Sequence, residues 1–233
     1  SAFQLQAINS AQIRALTASQ LQVLSTIQAI ALASSQIASL STSQALLLEA
    51  DNVRALSTSQ IQALTSSQVR VLSSSQAQAF STSQVFALLT SQVPGIQQDR
   101  VSVFETAQIA AFKASQFASM LSAQLAAFLT EQVAAIEIAD LPGLGSSQVR
   151  ALSTSQVQAL TGAQMSALAV SQFLAFQPLQ ISSIETGDLR AVLSSQLAAL
   201  GSAQLRALTS DQIVALTSNQ LVTLPSDRIG SLT

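Results

Sequence analysis

Four carboxylates are spaced so that they could act in pairs. Glu137 and Asp140 are three residues apart, as are Glu185 and Asp188, so on a helix each pair would share a face. Two facing carboxylates are the working groups of glycoside hydrolysis, and clustered oxygen ligands suit Ca²⁺. The surroundings support neither. No Asp-rich loop of the Ca²⁺-binding type is present, nor a Gly-rich phosphate loop, nor a G-x-S-x-G elbow. The chain contains no His, Cys, Trp or Tyr. It therefore lacks the commonest general base, the commonest metal ligand and any thiolate nucleophile. We read the chain as a non-enzyme with no catalytic, cofactor-binding or metal-binding residues. The charges are expected to be solvated, or to pair with Arg100, Arg190 and Arg228 across turns, where such pairs add little stability.

The overall charge points the same way. Nine basic and eleven acidic residues leave a net charge of −2, which gives neither nucleic acid nor an anionic lipid surface anything to hold. Only 9% of residues are charged, so solubility rests on Ser, Thr and Gln. Apolar residues are dispersed, and no stretch is long enough to span a membrane. Absence of Cys fits a secreted bacterial protein among others. The opening residues, SAFQLQAINS, already share the rhythm of the rest of the chain and show no signal-peptide pattern, as expected of a segment of something longer.

That rhythm is an eight-residue repeat. The unit is (I/V/L)-x-A-L-(S/T)-(S/T)-(S/A)-Q, positions 1 to 8. Its last column runs from Gln4 to Arg228 through 29 slots without a phase shift, and Gln fills 24 of them. Independent domains on linkers would not keep such phase, whereas a solenoid would. We expect a single continuous repeat solenoid over residues 1–233.

The helical alternative fits the unit better than the extended one. An alternating strand would place the two strongest apolar columns, positions 1 and 4, on opposite faces. On a helix they lie within about 60° of each other. Position 2, which carries Arg14, Arg54, Arg70, Arg150, Arg190 and Arg206, then falls on the far side. Positions 5 to 8 spell S/T-x-x-Q, the capping box, so each unit should be a two-turn helix started by its own cap. Where Leu89, Leu121, Leu129 and Leu193 occupy position 5, the cap should move to position 6. Pro178 suits the first helical position. The Pro-Gly pairs at Pro94 and Pro142 should make local turns. The fold class is thus all-α, a solenoid of very short helices, with a β-solenoid as the alternative. Gln should pair along the stack of coils.

The five slots without Gln are Asn52, Arg100, Asp140, Asp188 and Arg228, spaced 48, 40, 48 and 40 residues. The mean, 44 residues, suggests about 5.5 units per superhelical turn, with these residues forming one seam that could hold a partner. On that pitch 29 units make roughly five turns and a rod of about 45–50 Å. The stretch from Phe80 to Phe128 is rich in Phe. It either thickens the core or offers an apolar patch for a partner or for self-association, at Phe86, Leu121 and Leu129.

LSTSQIQALTSSQV and ALTSDQIVALTSNQL resemble the Ser/Thr-Gln octapeptide arrays of large proteobacterial proteins, some secreted or surface-associated. The resemblance covers the whole chain. It implies a bacterial, extracellular or cell-surface repeat segment without catalytic residues. Such a segment would act as rod, spacer or scaffold, its partners being neighbouring domains of a larger chain. The alternative is a module that holds a peptide, glycan or protein.

Overall fold

A computed structural model describes residues 2–224. Over that range the backbone forms 26 short α-helices and two 3₁₀ segments, with no strand among the described residues. The contacts gather into two compact units, Ser1–Met120 and Leu121–Thr233, each built by the same rules.

The helix from Thr58 to Ala63 shows how one repeat folds. Ser57 is its N-cap, in extended backbone, and its hydroxyl accepts from the Gln60 N–H. The Gln60 carboxamide oxygen accepts from the Ser57 N–H at 2.8 Å, closing the capping box. The helix runs six residues and stops at Leu64, which is extended again (φ −61°, ψ 132°). Leu64 and the next cap, Thr65, are thus two successive extended residues. They form the corner that turns the chain into its next helix. Because the corner takes two of the eight residues, helices are four to six residues long, shorter than two full turns. A helix this short does not persist on its own and depends on its neighbours.

The core is made of positions 1 and 4, as the pattern predicts. Position 1 is buried without exception from Ile13 to Leu205, and position 4 from Leu32 to Leu224. Burying each such side chain contributes about 1.5–3 kcal/mol.

Each coil stacks on one that lies 25 to 31 residues away in sequence. Within Ser1–Met120, Gln60 reaches back 31, 30 and 28 residues, and Arg14 reaches forward 25. Within Leu121–Thr233, Gln220 and Arg190 repeat the same offsets. A turn therefore takes about 28 residues, or 3.5 units of eight, and the expected 5.5 units is corrected. The half-integer has a physical reason. It sets the N-terminus of each helix over the C-terminal carbonyls of the helix in the coil below. An integer count would set glutamine over glutamine. The smaller ring also leaves a middle that two apolar side chains per unit can fill.

Two local expectations are also corrected. The cap does not move at Leu121, Leu129 or Leu193; each is itself the N-cap residue. Leu89 likewise gives its N–H to Gln92 at 2.8 Å. The Gln oxygen accepts the cap N–H whatever the cap's own side chain, and the stacking register holds every Gln in its slot. The Pro-Gly pairs do not break the array. They form single 3₁₀ segments, Val93–Gly95 and Ile138–Gly143, inside the same register. Gly95 is required there, because a Cβ would come within 2.6 Å of the Ser66 carbonyl oxygen. Pro178 occupies the start of its helix, Pro178–Ser183, as the sequence pattern predicts.

Candidate functional site

The group that recurs through both units is the glutamine carboxamide. Its two ends do different work. The oxygen of Gln60 caps its own helix, as above, while its nitrogen donates to the carbonyls of Ala29, Ile30 and Leu32 at 3.0, 3.1 and 2.7 Å. Those acceptors close the helix Thr26–Ala31 in the coil below, the end where helix carbonyls lack partners. One buried side chain therefore caps two helices, the start of its own and the end of its neighbour. The Gln-to-Gln pairing expected from the sequence is replaced by pairing to backbone.

The arrangement recurs with little variation. Within the first unit Gln84 donates to Val53, Arg54 and Leu56 at 2.9, 3.2 and 2.7 Å. Within the second, Gln156 donates to Leu125, Ala126 and Phe128 at 3.2, 3.4 and 2.6 Å. These glutamines are buried. A buried amide without partners costs about 1–3 kcal/mol, so its full satisfaction here is a condition of the fold.

A second set of links is not legible in the sequence. At position 2, Arg14 donates its Nε to the Ser39 carbonyl at 2.9 Å, Gln62 its amide to Ala87 at 3.1 Å, and Arg190 its Nε to Ala215 at 3.1 Å. The recurrence of Arg and Gln at position 2 is visible, but it fits a solvated face equally well. What distinguishes the two is the 25-residue offset, which only the pitch supplies.

The five exceptional slots fare differently. Asn52 is buried and donates to the Leu24 carbonyl at 3.0 Å. It keeps the link between coils, but its shorter side chain makes no bond to its own cap, Glu49. Arg100 pairs through Nη1 with its neighbour Asp99 at 2.7 Å, and its Nε is buried without a partner. Asp140 is half-buried in the 3₁₀ segment Ile138–Gly143. Asp188 is also half-buried. Its carboxylate and Ala191 crowd Gly162, where a Cβ would lie 2.8 Å from the Ala191 Cβ. Arg228 lies outside the described residues. At 28 residues per turn, a spacing of 48 is about 1.7 turns. Neither Asn52 and Arg100 nor Asp140 and Asp188 line up, and the single seam is not formed. Arg190, expected as an ion-pair partner, donates to a carbonyl instead.

Of the Phe-rich stretch, Phe80, Phe104, Phe112, Phe117 and Phe128 are buried. Phe104 and Phe112 meet edge to face at 5.9 Å. Phe86 is 55% exposed, with the Lys113 ammonium 4.1 Å from its ring centre. Leu121 and Leu129 are exposed cap residues of the second unit. Among the described residues no group of three or more His, Cys, Asp or Glu could hold a metal ion. No helix among them is long and apolar enough to cross a membrane.

These features define a class: a helical repeat protein, its units joined by one recurring side chain. Three segments, residues 47–82, 133–170 and 181–218, match the family model of the ALTTAQ repeat, together just under half of the chain. The six letters describe positions 3 to 8, and ALTSSQ over 63–68 and ALTGAQ over 159–164 are close variants. In them Leu is core, Thr the cap and Gln the double cap. No curated protein matches the chain.

Proposed function

We propose that the chain acts as one continuous structural array, a rod, spacer or scaffold within a larger secreted or surface protein. The observation that carries this reading is the glutamine column. The chain's most abundant buried polar group is spent on joining coil to coil. The match to a repeat family supports it.

A spacer is defined by its length. Deleting residues 37–92, seven units and two whole turns at the observed pitch, leaves every remaining Gln in register. The longest dimension measured by small-angle scattering should fall by about a quarter, with helical circular dichroism per residue unchanged. A longest dimension that does not change, or loss of the helical signal, would contradict the proposal.

A second reading, a module that holds a peptide, glycan or protein, is favoured by the groove beside Phe86. Thr58, Gln62, Thr82 and Lys113 line it, and its volume is about 500 Å³. Arg100, Asp140, Asp188, Leu121 and Leu129 are further candidate contacts for this reading. Capture of a partner that is lost on Phe86→Ala, with the helical signal unchanged, would favour binding over spacing.

A further inference from the structure

In every internal coil the stacking faces are consistent. Position 8 and position 3 are covered by the coil before, and position 1 by the coil after. The first and last described coils depart from this in complementary ways. Gln12 and Gln20 are exposed and Gln28 half-exposed, although glutamines from Gln36 onward are mostly buried. Their oxygens still serve their own caps, Asn9, Thr17 and Ser25, at 2.8, 2.9 and 2.9 Å. Their amide nitrogens meet no acceptor among the described residues. Val23, at position 3 of that coil, is 79% exposed. In the last coil the order is reversed. Ile213 is half-buried and Leu221 exposed, the first departures from burial at position 1 after Leu205. Among the described residues, the carbonyls of Leu205, Leu208, Ile213 and Leu216 receive no side-chain amide.

We propose that the chain binds a second copy of itself head to tail. The amides of Gln12, Gln20 and Gln28 in one copy would donate to the position 1 and position 4 carbonyls of the last coil in the other. The occupant follows from continuity with the internal interface. The missing partners on one face are the unused groups of the other, in the chemistry and register that join every pair of coils inside the chain. Val23, Ile213 and Leu221 supply the apolar part. Neither face is closed by the polar outer surface that keeps a terminal repeat solitary. The contact is heterologous, so it leaves the same two faces free at the ends of any dimer and can propagate.

Sedimentation velocity of the 233-residue chain from micromolar to millimolar concentration tests this. The mean sedimentation coefficient should rise with concentration. Replacing the three amides together (Gln12→Glu, Gln20→Glu and Gln28→Glu) keeps the oxygen that caps each helix and removes the donors. It should leave circular dichroism and melting as in the parent and weaken association about tenfold or more. Leu221→Glu, a change on the opposite and already exposed face, should weaken it too, which guards against a folding defect in the triple variant. A monomer at all concentrations would overturn the proposal. So would association that neither the triple variant nor Leu221→Glu reduces.

Discussion

A carboxamide is unusual among side chains in carrying an acceptor and two donors on one carbon. The repeat uses both ends, which makes each slot chemically narrow. Gln60→Glu keeps the oxygen that caps Ser57 but takes both donors from Ala29, Ile30 and Leu32, and sets a buried charge against their carbonyls. Chemical denaturation should show a loss of about 2–4 kcal/mol. Gln12→Glu, where the amide is exposed, should change stability by about 0.5 kcal/mol or less. Equal effects at the two positions would mean that the inter-coil bonds carry no weight. Asn52 gives the converse test. It makes the inter-coil bond and lacks the bond to its own cap. Asn52→Gln should therefore add about 0.5–1.5 kcal/mol if the extra methylene is accommodated.

At the scale of the element, each helix is too short to be stable by propensity, and its boundaries are set by the cap and the corner. Ser57, Thr65 and Ser73 supply a hydroxyl to the first turn, whereas Leu193 does not. Leu193→Ser would restore the missing acceptor and remove an exposed Leu. It should stabilise by about 0.5–2 kcal/mol, read as a rise in melting temperature. An unchanged or lower melting temperature would show that the Gln oxygen alone suffices at a cap. This is also the scale at which the sequence is most legible. S/T-x-x-Q announces each helix start, and the i, i+3 apolar pair announces the core. The leucine caps are misread when a cap is judged by its own oxygen, because the Gln three residues on already holds the cap N–H. The second half of each glutamine's work leaves no trace in the sequence. Its acceptors are backbone carbonyls, which every residue has.

At the scale of the whole molecule the governing quantity is the number of units per turn. Asn52, Arg100, Asp140, Asp188 and Arg228 give a misleading value for it. Those substitutions mark slots where the double cap is altered or lost. They do not mark an angle around a superhelix. The pitch follows from which carbonyls a glutamine reaches, 28 to 31 residues back. The absence of native Cys makes that offset directly measurable. Gly162 and Ala191, 29 residues apart, face each other across adjacent coils of the second unit, closely enough for a disulfide with a small outward shift. Gly162→Cys with Ala191→Cys should oxidise to an intramolecular disulfide. Gly162→Cys with Arg206→Cys, 44 residues apart, should stay reduced under the same conditions. A bridge in the second pair and none in the first would contradict a turn of 3.5 units and the double-capping glutamine with it.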